Sequence, residues 1–357
     1  MTVTELPPWQ GLNIGALSRL FSERTNSYKF LMFRALLDIL KAYRFDVAEP
    51  IPFQKLAVEI LMNAWYPHCF FKLSFGRQDR LAQWLDDYPL QLLTGLGKVD
   101  TQAIRSTLEH NLKDQAIHHM LRYVRLRLLS AFFAEDLAGL SDSRKNKTIL
   151  ELSQREFELR KPLYRVEQTA IVVHPHWADY LQTHYAIVSA WASWEWLRYM
   201  QRCNPNTPNL SSKLSPPLER HNLAQQKAFW LALMETTPIH CIYSGQPLTE
   251  AMSIDHFLPW TFTAHDELWN LAPTIAAINS SKGDRVPDTI YLDRFISLHG
   301  SALPLLSKPR FARFADEYVA ALHVPELGQV GDGLRRILPP LMSLAAGQGF
   351  AGGWRWQ

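Results

Sequence analysis

The sequence has few cysteines, and they lie far apart. Its 357 residues include only Cys69, Cys203 and Cys241, with no Cys-x-x-Cys pair. Three isolated thiols predict neither a disulfide framework nor a zinc ribbon, and they favour a reducing cytoplasm as the compartment. No run of about 18 apolar residues is present, so we expect no membrane insertion. The first eight residues also lack the basic and apolar segments of a secretory signal.

A strong excess of one charge is missing as well. The chain has 37 Lys and Arg against 34 Asp and Glu, a formal net charge of +3. This balance is compatible with a nucleic-acid partner but does not indicate one. No Gly-rich phosphate loop of the Walker type occurs, which argues against nucleotide hydrolysis by this chain. Hydrophobic residues make up 47%, so a sizeable core is expected, and the length suits two domains.

Apolar residues at helical spacing dominate the first 200 positions. Phe30, Phe33, Leu37 and Leu40 recur every three or four residues, which predicts an amphipathic helix over 28–40. The polar stretch 140–148 is expected to be a loop. Further helices are expected over 53–64, 100–133, 177–202, 219–235, 310–322 and 331–346. The expected fold class is therefore mainly α (α+β).

Prolines are dense between 203 and 217, where they end helices and favour an extended connection. We therefore expect a boundary there between a helical platform and the rest of the chain. The predicted segments are a platform over 1–202, a connection and helix over 203–235, a small domain over 236–295 and a helical C-terminal segment over 296–357.

The small domain differs from its surroundings in its pattern. A β-prone run at 239–243 is followed by turn residues at 244–247, and a second strand is expected to end near Asp255 and His256. Pro273 is expected at the start of a helix that Gly283 ends. Trp260, Phe262 and Trp269 flank this segment, and we interpret them as core of the small domain rather than as base-stacking residues.

Six positions in this segment follow a fixed order: Asp255, His256, Pro259, Asn270, Asn279 and Lys282. Pro259 lies three positions after His256, Asn270 lies fourteen after it, and Asn279 lies nine further on. The segment then continues to its end as Asn279-Ser-Ser-Lys282-Gly-Asp-Arg-Val-Pro. This order resembles the HNH (ββα-metal) endonuclease motif, and it is similar to the HNH domain of type II CRISPR effector nucleases.

The resemblance implies a role for each of these residues. Asp255 and Asn279 are oxygen donors suited to one Mg²⁺ or Mn²⁺ ion per active site, because hard cations prefer oxygen and retain several waters. His256 is the expected general base for the attacking water. In the family the middle Asn, here Asn270, braces the loop that orients the His. Lys282, one helical turn beyond Asn279, is expected to contact a phosphate.

The resemblance therefore implies a metal-dependent HNH endonuclease that nicks DNA. A helical region joined to a C-terminal HNH unit is also similar to stand-alone nucleases of bacterial anti-phage systems, such as Zorya type II, Septu or retron-linked effectors. That likeness implies other defence proteins as partners. Two alternatives stay open at this point: an RNA-directed or RNA-guided nuclease subunit, and a non-catalytic nucleic-acid-binding protein with a vestigial HNH fold.

Other candidate sites are weaker. His118-His119 and the pair His174 and His176 lack a companion Cys or a His four residues away, so surface or core histidines are the better interpretation. Between Leu121 and Arg165 there are ten Lys or Arg against six Asp or Glu. This excess fits a phosphate-backbone footprint and the mixed surface of a helical bundle equally well.

Overall fold

The computed structural model describes residues 6–22, 26–87, 100–216 and 222–357. It separates into two compact units, Met1–Pro205 and Asn206–Gln357. Helices make up 60% and the strands are few and short, so the prediction of a mainly α fold is confirmed. Within the described ranges, no helix has both the length and the apolar character needed to cross a membrane.

The first unit is built from helices around a small sheet. Strands β1 (Ile51–Pro52), β2 (Tyr164–Val166) and β3 (Ala170–Val173) form an antiparallel sheet in the order β1-β3-β2. A π-helical turn (Tyr66–Phe70) and a 3₁₀ helix (Leu128–Phe133) join the α-helices. These are α1 (Ile14–Ser18), α2 (Tyr28–Ala42), α3 (Phe53–Trp65), α4 (Leu81–Asp86), α5 (Thr101–Asn111), α6 (Asp114–Leu121), α7 (Val124–Arg127), α8 (Asp142–Arg155), α9 (Phe157–Arg160), α10 (Pro175–Thr183) and α11 (Tyr185–Cys203).

Aromatic side chains connect α2 and α11 in the core of this unit. The apolar residues that predicted α2 are all buried. Phe30 packs against Tyr199 of α11 with ring centroids 5.1 Å apart, and Trp191 lies 5.0 Å from Phe21. The aromatic residues of α11 are therefore mostly core, as expected, although the Trp194 side chain is 57% exposed.

Three predictions for this unit are wrong in detail. The single helix expected over 177–202 is interrupted at His184, which separates α10 from α11. The single helix expected over 100–133 is divided, because Leu112 and Lys113 adopt extended backbone angles. The stretch 140–148, expected as a loop, belongs largely to α8. The polar residues of this stretch are exposed or half-buried, while Ile149 and Leu152, three positions apart, bury one side of the helix.

The second unit contains the small domain and the helices around it. Strands β4 (Ser253–His256) and β5 (Leu271–Thr274) form an antiparallel pair, and short 3₁₀ helices cover Leu210–Lys213, Leu268–Asn270, Thr289–Tyr291, Pro309–Phe311 and Leu327–Gln329. The α-helices are α12 (Ala224–Met234), α13 (Trp260–Thr263), α14 (Ala276–Lys282), α15 (Leu292–Ser301), α16 (Leu303–Leu306), α17 (Ala312–Leu322) and α18 (Val330–Gly347). The predicted start of α12, at 219, falls in 217–221, outside the described residues.

A ββα arrangement is present, but its strands differ from those expected. The run 239–243 is not a strand; His240 makes only an isolated bridge to Pro247. The second strand is instead β5, which contains Pro273, so the prediction that Pro273 starts a helix is wrong. Both strands of a two-stranded sheet are edge strands. Proline is tolerated in an edge strand where the missing N–H would point away from the partner strand. Gly283 ends α14 with a positive φ of 55°, as predicted.

The small domain shares one hydrophobic core with its neighbours in the unit. Phe257 packs against Phe295 of α15, with ring centroids 4.3 Å apart, and Phe262 contacts Phe350 at 5.8 Å. Buried residues from α12, α17 and α18 belong to the same cluster. Phe262 and Trp269 are buried in it, which confirms their interpretation as core residues, whereas Trp260 is only half-buried.

Candidate active site

The end of β4 directs two neighbouring side chains in different directions. Asp255 pairs with Ala272 and His256 with Leu271 across the strand pair. Successive strand residues point to opposite faces, and here Asp255 is buried whereas His256 is half-buried. The two residues that begin the motif therefore have separate environments.

Asp255 lies in a closed polar cluster with Tyr243 and Lys282. The Tyr243 hydroxyl donates to Asp255 Oδ2 at 2.6 Å, and Lys282 Nζ donates to Oδ1 at 3.1 Å. The Asp255 and Lys282 side chains are 3% and 0% exposed. Burial, together with the neighbouring Asp255 carboxylate, raises the pKa of Tyr243 well above its usual value, so the hydroxyl stays a donor.

Lys282 also fixes the backbone of the neighbouring His256. Its ammonium donates to the His256 carbonyl oxygen at 2.6 Å. The structure therefore places this lysine inside the unit, between a carboxylate and a carbonyl, and not on the surface where a phosphate would bind. A phosphate contact by Lys282 would require the pair with Asp255 to open.

The His256 side chain forms a pair with Asp266. His256 Nε2 lies 2.8 Å from Asp266 Oδ1, and the two side chains are 17% and 19% exposed. Because a carboxylate oxygen only accepts hydrogen bonds, Nε2 is the donor of this contact, and in the neutral imidazole Nδ1 then holds the lone pair. The pair thus presents a partly solvent-accessible imidazole with a defined tautomer.

Asn270 ties the turn after His256 to the approach to β5. Its Oδ1 accepts from the Leu258 amide at 2.9 Å, and its Nδ2 donates to the Leu258 carbonyl at 3.0 Å. The Asn270 carbonyl also accepts from the Phe257 amide at 2.8 Å. The side chain is fully buried, so it acts on the backbone beside His256 and has no access to a substrate.

Asn279 lies on α14 and reaches back to β4. Its Nδ2 donates to Ser253 Oγ at 2.9 Å and to the Ile254 carbonyl at 3.1 Å. Among the described residues no donor reaches its Oδ1, and the residue is half-buried. The side-chain amide of Asn279 is therefore fixed through its nitrogen, and its uncharged oxygen is left to act as a metal ligand.

The donors at this site fit a hard cation in kind. Asn279 offers an amide oxygen with no other partner among the described residues. Each carboxylate oxygen of Asp255 has a lone pair beyond the one used by Lys282 or Tyr243. Within the described ranges no group of three or more His, Cys, Asp or Glu is placed to hold a metal. A cation here would thus rest on few protein ligands, the condition that Mg²⁺ accepts because it keeps waters.

A second histidine-carboxylate pair lies beside the first. His265 Nδ1 is 3.9 Å from Glu267 Oε2 and accepts from the Glu267 amide at 3.2 Å. Its ring packs against Trp269 with centroids 5.2 Å apart. Burial lowers the pKa of His265, and the nearby Glu267 carboxylate opposes that effect.

Asp266 is a candidate site residue that the motif did not reveal. It lies ten positions after His256, inside a polar stretch that has no motif position of its own. Only the fold of 257–267 brings it to the imidazole. The sequence signal was limited to the run His265-Asp266-Glu267, three polar residues between apolar ones.

Among the described residues, the other candidate histidines make structural contacts and form no metal-binding group. The His174 Nδ1 accepts from the His176 amide and caps the start of α10, and His119 packs against Trp84. In the basic stretch 121–165, half of the cations are paired with carboxylates, which favours the mixed helical surface. These pairs are Arg127–Asp142, Lys147–Glu151, Arg155–Glu156, Arg160–Asp136 and Arg165–Glu167.

Comparison with known families agrees with the geometry at β4, β5 and α14. No curated protein and no solved structure matches the chain. Residues 241–288 match the family model described as HNH endonuclease, a segment that includes the ββα unit, His256, Asp266 and both motif asparagines. This segment is therefore similar to HNH endonucleases, which supports a nuclease.

Proposed function

We propose that this protein is a metal-dependent endonuclease that hydrolyses phosphodiester bonds and nicks DNA. The observation that carries the proposal is the His256–Asp266 pair at the end of β4, within the segment that matches the HNH endonuclease family. A half-buried imidazole with a carboxylate on one nitrogen is the arrangement used to orient a general base.

The chemistry assigned to His256 is removal of a proton from water. Nδ1 takes that proton while Nε2 keeps its bond to Asp266, whose carboxylate stabilises the imidazolium that forms. The water oxygen bonds to phosphorus, the bond from phosphorus to the leaving sugar oxygen breaks, and that oxygen takes a proton from solvent. The general base accounts for about 10²–10⁴-fold of the rate.

Asp255 and Asn279 are the residues that would hold a divalent cation. Such an ion, Mg²⁺ or Mn²⁺, supplies charge neutralisation on the phosphate and on the leaving oxygen when bound. Asp255 already forms an ion pair with Lys282. A bound cation would therefore share the Asp255 carboxylate with the lysine ammonium. Asn270 contributes by fixing the Leu258 backbone next to His256.

One active site cuts one strand, so a single encounter should convert supercoiled plasmid to nicked circles before linear DNA forms. The experiment is digestion of supercoiled plasmid by the purified full chain with Mg²⁺, with Mn²⁺ and with EDTA, and of single-stranded RNA in parallel. We expect nicked circles with either metal and none with EDTA. Preferential cleavage of RNA supports the RNA-directed alternative, and binding without cleavage supports the vestigial one.

The anti-phage role is a narrower proposal. It rests on the resemblance of the chain's organisation to defence nucleases, and it includes partner proteins of such a system. Its test is plating efficiency of phage on bacteria that express the wild-type chain or His256→Asn. Equal plating on both strains would argue against the role.

A further inference from the structure

The stretch that begins the second unit contributes side chains to the loop before Asp266. We call residues 206–214 the connection segment. Asn209 Nδ2 donates to the Thr263 carbonyl at 3.0 Å, and Lys213 Nζ donates to the Phe262 carbonyl. Both carbonyls lie at the end of α13, which leaves its last carbonyls without helical partners. The connection segment therefore caps this short helix.

The same loop is held at two further points. Gln226 of α12 donates from Nε2 to the Asp266 carbonyl at 2.9 Å, and Glu317 of α17 accepts from the Leu268 amide at 2.9 Å. Neither residue, nor Asn209 or Lys213, belongs to the segment that matches the HNH family. The loop that presents Asp266 to His256 is thus fixed by side chains from outside the matched segment.

Among these anchoring residues, Lys213 is the one whose side-chain type is hardest to explain by packing. Its side chain is fully buried, and its ammonium lies 5.5 Å from the Phe262 ring centroid. Among the described residues the Phe262 carbonyl is its one acceptor, whereas an ammonium has three protons to donate. Burial lowers the pKa of Lys213 to about 7, which means that burying the charge opposes folding. Methionine would fill the same space without that cost.

We propose that Lys213 is a positioning residue of the nuclease site. By holding the Phe262 carbonyl it fixes residues 262–266, so that Asp266 stays at hydrogen-bond distance from His256. The effect on cleavage rests on the proposed function. The effect on the loop does not, and it is measured separately.

The first measurement is hydrogen exchange in the full chain. The amides of Phe262, Thr263 and Ala264 bond to the carbonyls of Pro259 and Trp260 at 2.6–3.0 Å. We expect Lys213→Met to speed their exchange about tenfold, the effect of losing one anchoring hydrogen bond. Lys308→Met, which removes an exposed lysine of the same unit, should leave it unchanged.

The second measurement is cleavage of supercoiled plasmid. Lys213→Met should lower kcat about ten- to hundredfold, the penalty of a misaligned catalytic group, while KM changes less than about twofold. In an Asp266→Asn background the same substitution should have no further effect, because Lys213 acts through Asp266. Lys308→Met should leave kcat and KM unchanged in both backgrounds.

Two other cleavage results count against the proposal. A rise in KM at constant kcat means that Lys213 contacts the substrate directly. Additive losses in the two backgrounds mean that it acts on the fold in general. If the wild-type chain does not cleave, the proposed function fails. The exchange experiment then decides the positioning role alone: unchanged exchange at 262–264 in Lys213→Met overturns it, and faster exchange supports it.

Discussion

Replacing Lys282 by methionine should destabilise the second unit strongly. The substitution leaves the Asp255 carboxylate, 3% exposed, with the Tyr243 hydroxyl as its remaining hydrogen-bond donor among the described residues. Removing one partner of a buried ion pair costs about 3–5 kcal/mol, because the other charge stays buried without compensation. The bond from Lys282 to the His256 carbonyl is lost as well.

The assay is thermal unfolding followed by calorimetry. At ~2–4 °C per kcal/mol for a unit of this size, the expected loss lowers the melting temperature of the second unit by about 6–20 °C. Arg335→Met provides the control, because it breaks an exposed pair whose side chains are 58% and 88% accessible. Such a pair contributes less than about 1 kcal/mol.

A double substitution separates the ion pair from general packing. Asp255→Asn removes the charge that Lys282→Met leaves uncompensated, so the double variant should recover much of the stability lost by the lysine variant alone. If Lys282→Met costs no more stability than Arg335→Met, or if the losses of the two single variants simply add, the buried ion pair does not stabilise the unit in this way.

Two further predictions concern activity and pH. Asp266→Asn should lower kcat about 10²–10⁴-fold with the melting temperature nearly unchanged, because the imidazole loses its fixed tautomer and orientation. A plasmid-nicking rate within twofold of wild type would contradict this. Burial lowers the pKa of His299 to about 3 from its usual 6.5, so between these values the unfolded chain binds a proton that the folded chain does not. Stability should therefore fall as pH drops below 6.5, by up to about 1.4 kcal/mol per unit. In urea unfolding at several pH values, His299→Gln should show a shallower decline, and parallel curves for the two proteins would exclude His299 as a cause.

The elements predicted best are those in which local pattern and tertiary packing agree. In α2 the residues Phe30, Phe33, Leu37 and Leu40 recur at helical spacing and all are buried. The helix α8 was missed because its apolar side is narrow, with Ile149 and Leu152 among mostly polar residues. Polar helices of this kind depend on charge pairs and neighbours that no local pattern reveals.

Strand β5 was missed for a different reason. Leu271-Ala-Pro273-Thr contains a proline, which usually argues against a strand. It is accepted here because β5 has a single partner, with Pro273 opposite Ile254. A proline therefore argues reliably against a strand in the middle of a sheet, but not against a strand at its edge.

The candidate site was only partly predictable. Asp255, His256, Asn270 and Asn279 were proposed from the resemblance to the HNH motif, whose positions all lie within one short ββα segment. Asp266 and the anchors of its loop follow no such spacing: Lys213 lies 49 positions before the Phe262 carbonyl that it holds. Contacts of that range depend on the packing of the whole unit.

The most direct test of the account compares two identical substitutions in the full chain. His256→Asn removes the proposed base, and His323→Asn changes an exposed histidine of the same unit, whose left-handed φ of 48° asparagine tolerates. Both are assayed for nicking of supercoiled plasmid in Mg²⁺. We predict that His256→Asn nicks about 10²–10⁴-fold more slowly than wild type, while His323→Asn keeps the wild-type rate. Equal rates for His256→Asn and wild type would contradict the assignment of the active site.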